Sequence, residues 1–550
     1  MTRALKLDSN EGPLPPRPLV ASLAGLDPER LRRYPDAGPL EKALAERLGV
    51  TAERVVVTAG ADEAIDRALR ARLQRGRTLL LPEPTFEMFD RFAALAGAAL
   101  VRVPWPRRPF PLEGFLSRLD ARTGVVAVVS PNNPTGAVAT AADVRQVAAA
   151  ARDALVLLDH VYVEYADEDL TGQVLDLPNV VVVRTLSKAW GLAGCRIGYA
   201  AGAAAIVEEL RAAGGPYPVA APSIALARAR LEAGDTGLRE HVSCVVRERA
   251  MLARRLGALG LEPLPSQANF VLVECGDRAP FIAAALAALG VLVRGFPGRA
   301  GLATSLRISL PGETEAFGRL TTALETTLEP QALLMDLDGV VADVSESQHT
   351  AIAATASSFG APVEAAEVAA VLRAGDAAND WVVTQRLIAG AGQVAALTDV
   401  VSRYQSFYLG DATTPGMRER ERLIPPRALL ERLASRLPLA IVTGRPRAEA
   451  QWFLERTGIA GLFAAVVAME DAPAKPDPAP LRLALERLGV SRAWMIGDTP
   501  DDSRAAARAG VLPLGVLPPG AGPEPTGAAL RAAGAARVLD RLAQLPELLP

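Results

Sequence analysis

Along this chain, short apolar runs alternate with stretches in which Ala and Leu recur at helical spacing between arginines and acids. The runs include "RVVVTAG", "TLLLPEPTF", "GVVAVVSPNNPTG", "ALVLLDHVYVEY" and "NVVVVRTLSKAWG", each bounded by Gly, Pro or Asn. A continuous apolar run fits a strand buried on both faces, and a helical stretch after each one predicts α/β architecture around a buried sheet. Chemistry then belongs just beyond the strand ends. The pattern closes with "SLRISLPGETEAFGRLTTALETTLEP", a strand followed by a long amphipathic helix, and starts afresh at "ALLMDLDGVVADV". "PLAIVTGRP" and "AWMIGDTPDD" continue the second series. The expected border lies near Pro330, dividing the chain into 1–330 and 331–550 with a linker of a few residues. No internal repeat is visible, and the low-complexity "LGVLPPGAGPEPTGAAL" reads as a surface loop.

A chain of 550 residues exceeds one ordinary core, which agrees with two domains. Half of its residues are hydrophobic and its net charge is −3, with no basic block or basic helical face, so neither nucleic acid nor membrane is an expected partner. The apolar runs are too short or too interrupted to span a bilayer, and "MTRALKLDSNEG" has no apolar leader pattern. A DNA-binding regulator is a disfavoured expectation, since no helix-turn-helix segment is read ahead of the motif series. Cys195, Cys244 and Cys275 are too few and scattered for a disulfide framework or zinc cluster, and a reducing cytoplasm is the expected location.

One count changes the picture: of the 59 Lys+Arg residues only Lys6, Lys42, Lys188 and Lys475 are lysine, leaving 55 arginines. Lysine can lose its proton and act as an amine nucleophile, which guanidinium cannot do. Lys188 follows the strand "NVVVV" and offers the amine that an aldehyde cofactor needs for a Schiff base. Asp159, ending "ALVLL", offers an acid for a pyridinium nitrogen, and Tyr162 and Asn133 offer donors to a ring oxygen. Backbone N–H groups of Ala61 and Asp62 open a helix and form a phosphate cup, completed by Ser187 and Arg196. Phe86 provides a face for ring stacking. Together these positions are the set that a pyridoxal 5'-phosphate site would need.

The first 328 residues or so resemble the fold-type I aminotransferases, and within them the histidinol-phosphate aminotransferase family. The blocks are "LDSNEGP", "RYPD", "GADEAI", "PTFEMF", "SPNNPTG", "DHVYVEY", "TLSKAWGLAGCRIGY", "PYPVAAPS", "SQANFVLV", "GVLVR" and "LRISL", in the family's order. The resemblance implies a mixed, mostly parallel sheet with a small C-terminal α+β subdomain. It makes Lys188 the cofactor's covalent anchor and proton shuttle, with Asp159, Tyr162 and Asn133 around the ring. It also implies a homodimer in which Tyr34 reaches the neighbouring subunit's cofactor phosphate. Arg294 and Arg307 would grip the phosphate of an amino-alcohol phosphate, a task suited to guanidinium. Three positions depart from the family: His160 replaces an acid, Phe86 a common tyrosine, and Gly12 a side chain that approaches substrate.

In the second series, "DLDGVVAD" places Asp336 and Asp338 two apart after an apolar strand. Phosphoryl transfer to a carboxylate needs a nucleophile, an acid/base, magnesium and a positive clamp. Asp336 supplies the first and Asp338 the second. Thr443 offers a hydrogen bond to the phosphoryl oxygens, Lys475 a charge to neutralise them, and Asp498 with Asp502 joins Asp336 and Asp338 as ligands for Mg2+. In this order the blocks resemble the haloacid dehalogenase superfamily. That resemblance implies a Rossmann-like domain with a helical cap over about 344–423, including "GDAANDWVVTQRL". The second acid favours a phosphatase over a dehalogenase; a phosphomutase stays open. His349, at the cap start, reads as a surface or packing residue.

Joined, the halves fit transamination between imidazole-acetol phosphate and glutamate, or histidinol phosphate and 2-oxoglutarate, followed by dephosphorylation of histidinol phosphate in histidine biosynthesis. The alternatives are a threonine-phosphate decarboxylase-like or aromatic amino acid enzyme beside an unrelated phosphatase, or a non-catalytic second domain.

Overall fold

The valine- and leucine-rich runs become strands because nothing polar interrupts them between their bounding turns. The computed structural model describes residues 4–107, 109–364, 367–368, 371 and 379–549. They form two compact units, one of residues 6–279 with 293–321 and the other of 1–5, 280–292 and 322–550. In the first unit a seven-stranded sheet runs in the order Val55–Thr58, Gly198–Gly202, Val180–Thr185, Leu155–Asp159, Thr123–Val129, Thr78–Glu83, Ala99–Pro104. Gly198–Gly202 is antiparallel to both neighbours, and the other pairings are parallel. The central strands are buried throughout except at Arg184, as continuous apolar runs require. A small antiparallel sheet pairs Phe270–Glu274 with Ser305–Ser309, which in turn pairs with Val291–Gly295 through Arg294 and Gly295.

The second unit has a six-stranded parallel sheet ordered Phe463–Val467, Leu439–Val442, Ala332–Met335, Ala493–Gly497, Leu512–Val516, Arg537–Leu539. Between Ala342–Asp343 and Arg422–Leu423, paired as a two-stranded stalk, lie the cap helices Gln348–Ser358, Asp380–Gly390 and Leu397–Leu409. Residues 375–378 of the expected cap motif lie outside the described residues. The expected surface loop is only partly one: Leu512–Val516 is a buried strand, Thr526 is buried, and Pro518 to Ala521 line a cavity. Among the described residues no helix is long and apolar enough to cross a membrane.

Residues 280–292 and 322–328 group with this unit for a visible reason. Trp494, fully buried on the strand beside Ala332–Met335, donates its indole N–H to the Thr326 carbonyl at 2.7 Å and meets Phe281 edge-on at 5.7 Å. Trp494→Phe keeps the apolar contact but leaves that buried carbonyl without its donor. The expected loss is about 1–3 kcal/mol, read as a lowered urea midpoint of the full chain.

Candidate active sites

In the first unit the strand Leu155–Asp159 delivers Asp159 to a cavity of about 290 Å3 that also receives Lys188, from the loop after Val180–Thr185. Asp159 is 2% exposed, with Val161 N–H donating to it at 3.4 Å. Burial pushes its carboxyl up to about 7, opposed by that N–H and by Lys188 and reinforced by Asp62. A buried acid with so little compensation fits a cationic ring nitrogen. Lys188 Nζ lies 5.4 Å from the Tyr162 ring centre and donates to the Ser9 carbonyl at 3.4 Å. Ala61 and Asp62 open the helix Ala61–Arg72 on the cavity wall, with Ser187 and Arg196 beside them. Arg196 pairs with the Asp62 carboxylate at 2.9 Å. Phe86 and Asn133 line the same cavity. These donors and the unmet charge of Asp159 fit pyridoxal phosphate.

Arg294 and Arg307, thirteen positions apart in the chain, are direct cross-strand partners. Like charges directly opposite on a sheet repel, so this pair is held against its own electrostatics at the cavity edge. Burial, and secondarily Arg294, lower the pKa of Arg307. Arg307 donates to Asn133 Oδ1 and to the Asp8 carbonyl, each at 2.7 Å, while its buried Nε has no partner among the described residues. Arg294 reaches Glu87 at 3.4 Å. An anion between the arginines would offset their repulsion.

Tyr34 does not line this cavity: it is 79% exposed and stacks on Tyr217, ring centres 4.6 Å apart. Sequence reading passed over Asn10 and Arg299. Asn10, buried at φ 53°, donates to the Tyr162 hydroxyl at 3.0 Å and accepts from Ser309 Oγ at 2.7 Å. It sat within "LDSNEGP", where an asparagine able to take the left-handed conformation was the available signal. Arg299 adds a third guanidinium to the cavity wall and donates to the Thr85 carbonyl.

Two departures acquire physical explanations. His160 is buried, with Nδ1 against the Ser130 carbonyl and Nε2 accepting from Leu170 N–H at 3.2 Å, which assigns the neutral tautomer with Nδ1–H donating. Burial, then the Arg184 charge, pushes it down to about 4, so it packs as a neutral group. At Gly12 a Cβ would overlap the Lys188 carbonyl, so this glycine is required by the lysine segment rather than being a lost substrate contact.

In the second unit Asp336 follows Ala332–Met335 and is 8% exposed. Lys475 Nζ lies 3.0 Å from Asp336, 2.5 Å from Asp502 and 3.0 Å from the Val442 carbonyl. Oxygens of Asp336, Asp498 and Asp502 come within 4.8 Å of one another. Asp502 also caps its own helix, accepting from Thr499 N–H at 3.1 Å and Oγ1 at 2.7 Å. Burial pushes Asp336 and Asp498 up, with Lys475 opposing it most strongly at Asp336. Buried Asp498 Oδ1 has no partner among the described residues. Three clustered carboxylates, one with an orphaned oxygen, suit Mg2+, a hard cation with oxygen ligands. Gly339, at φ 71°, lies where a Cβ would overlap the Asp498 carboxylate, which explains the glycine of "DLDG".

The Asp338 carboxylate lies outside that trio and pairs with Arg445. Thr443 is buried behind the cavity and accepts from Arg445 N–H at 3.1 Å; Gly444 lines the wall in its place. The cavity, about 450 Å3, is lined by Asp336, Asp338, Lys475 and Asp498 on the core side and by His349, Asp380, Trp381 and Tyr404 from the cap. The cap contribution of Asp380, whose carboxyl burial pushes up to about 7, was not foreseen.

Residues 3–324 match the family model of aminotransferase class I and II, and residues 330–510 that of haloacid dehalogenase-like hydrolase. The aromatic amino acid aminotransferase of Corynebacterium jeikeium (strain K411) is 36% identical over 343 residues, 60% of this chain and 90% of that protein. A protein named imidazoleglycerol-phosphate dehydratase from Phytophthora nicotianae is 43% identical over 197 residues, 34% of this chain and 44% of its own. The crystal structure of histidinol-phosphate aminotransferase from Sinorhizobium meliloti in complex with pyridoxal-5'-phosphate superposes with TM-score 0.54 at 28% identity, covering 58% of this chain and 90% of that one.

Because Gly12 packs on the lysine segment, Gly12→Ala is expected to shift the backbone at Lys188 at a cost of about 1–3 kcal/mol, the usual range for overpacking. Titration with pyridoxal phosphate followed by visible absorbance should show weakened loading, with hydrolase activity of the other unit retained.

Proposed function

The chain belongs to the class I and II aminotransferases and carries a haloacid dehalogenase-like hydrolase domain; on that premise we propose that it catalyses two consecutive steps of histidine biosynthesis. Residues 1–330 transaminate between imidazole-acetol phosphate and glutamate, and residues 331–550, with the cap at about 344–423, hydrolyse histidinol phosphate. The observation that carries this reading is the cross-strand pair Arg294 and Arg307, an anion grip beside Lys188. The likeness to the histidinol-phosphate aminotransferase structure supports it, as does a relative named for another imidazole phosphate.

Pyridoxal phosphate, when bound, supplies an electron sink for breaking the bond from the amine-bearing carbon to hydrogen. Lys188 Nζ holds the cofactor covalently between turnovers and carries the proton during them. Asp159 keeps the ring nitrogen protonated, while Tyr162 and Asn133 donate to the ring oxygen. The helix start at Ala61 and Asp62, with Ser187 and Arg196, holds the cofactor phosphate. Tyr34, exposed on its own chain, reaches that phosphate in the neighbouring subunit of a cytoplasmic homodimer.

In the hydrolase Asp336, Asp498 and Asp502 would hold magnesium, whose charge shields the phosphoryl oxygens. One Asp336 oxygen attacks phosphorus and the ester P–O bond breaks, the leaving oxygen taking a proton from Asp338. Asp338 then takes a proton from water as its oxygen displaces Asp336 from phosphorus. Lys475 balances the charge, and Thr443 supports the loop that faces the phosphoryl group.

The similarity to the Corynebacterium jeikeium enzyme favours a second reading, transamination of aromatic amino acids. The decisive test gives the full chain, with both cofactors, histidinol phosphate or phenylalanine, each with 2-oxoglutarate. Histidinol phosphate should change the cofactor spectrum at lower concentration than phenylalanine and release phosphate faster than unrelated esters. Preference for phenylalanine, or phosphate release no faster than from unrelated esters, overturns the consecutive-step reading. Lys188→Ala should lose the cofactor's visible band and keep phosphate release, and Asp336→Asn should do the reverse.

A further inference from the structure

Arg445 lies in the loop after Leu439–Val442, 3% exposed, with acids on two sides. Its Nε donates to Asp338 Oδ1 at 2.6 Å, and its Nη2 pairs with the same oxygen. Its Nη1 donates to Glu421 Oε2 at 2.9 Å and to the Tyr408 hydroxyl at 3.1 Å. Glu421 Oε1 in turn accepts from the Tyr408 hydroxyl at 2.8 Å and from Ser347 Oγ at 3.1 Å. Ser347 stands immediately before the first cap helix, Tyr408 near the end of the last described one, and Glu421 just before the strand that returns to the core. One guanidinium therefore joins the acid beside the nucleophile to both crossings of the cap.

A guanidinium buried between two carboxylates loses hydration that only well-formed hydrogen bonds offset. The use of this arrangement lies in the torsion of Asp338. The terminal torsion of aspartate is broad, whereas a general acid needs its proton-bearing oxygen within hydrogen-bond reach of the leaving atom. The hydrogen bond from Nε and the charge of the adjacent Nη2, both on Oδ1, fix that torsion. Oδ2 is left with a 3.3 Å contact from Gln348, on a side chain 28% exposed in the cavity wall.

We propose that Arg445, held by Glu421, is a positioning residue that pins Asp338 Oδ1 so that Oδ2 exchanges the proton with the leaving oxygen and then with water. This rests on the reading of Asp338 as general acid and base. As the Asp336–phosphorus bond forms and the ester P–O bond breaks, an alkoxide must receive the Oδ2 proton, whereas p-nitrophenolate leaves without one. Loss of positioning therefore penalises alkyl esters selectively, whereas a general loss of structure lowers both alike.

The test measures kcat/KM, which reports the first irreversible step, for n-propyl phosphate and p-nitrophenyl phosphate with magnesium and the full chain. Arg445→Lys is expected to lose roughly 10²-fold on the propyl ester, within the usual worth of general acid catalysis, with the nitrophenyl ester nearly unchanged. Glu421→Gln, a milder change should the arginine variant fold poorly, is expected to shift the ratio in the same direction by less. Equal losses on both esters, or none, while Asp338→Asn shows the selective loss, overturn the positioning role. An Asp338→Asn variant without selectivity instead overturns the acid–base reading, and the proposal with it.

Discussion

A carboxylate buried where a parallel strand ends must find positive charge, and most of the chemistry of this chain follows from that requirement. Asp159, Asp336 and Asp498 all occupy such ends, and burial raises the proton affinity of each. At Asp336 the protein supplies a partial answer in Lys475. At Asp159 and Asp498 the protein supplies less, and a pyridinium nitrogen and a divalent ion are the two kinds of cation whose chemistry fits. The same construction thus serves two unrelated reactions, with the species that completes it deciding which one runs.

The aminotransferase substrate edge poses the opposite problem. There the excess is positive, with Arg294 facing Arg307 across two antiparallel strands and Arg299 on the same cavity wall. Hydrogen bonds from Arg307 to Asn133 and the Asp8 carbonyl keep the group in place without neutralising it. On the proposed reading, the side chain that would hold the cofactor ring, Asn133, and one that would meet the substrate, Arg307, are therefore bonded to each other.

What was legible in the sequence was what recurs locally. Continuous apolar runs marked the sheets, and their ends placed Asp159, Lys188, Asp336 and Asp498 on the cavity walls, because strand period and strand end are properties of a few neighbouring positions. What was not legible depends on distant pairing. The contact of Gly12 with the Lys188 carbonyl spans most of a unit, so the glycine read as a missing side chain. Arg445 was visible in "IVTGRP", but nothing near it announced that its guanidinium pairs with both Asp338 and Glu421. The loop at Pro518 to Ala521 looked like solvent-facing low complexity because composition does not say which cavity a loop borders.

The indole of Trp494 also bears on how the two activities came to share a polypeptide. Its hydrogen bond to Thr326 and its contact with Phe281 place pieces of the chain from before residue 330 inside the fold that carries the hydrolase domain. A gene cut near residue 330 would yield a hydrolase fragment with an unsealed tryptophan. Exchange of the hydrolase unit by recombination would therefore have to carry residues 280–292 and 322–328 along or replace the surface they cover.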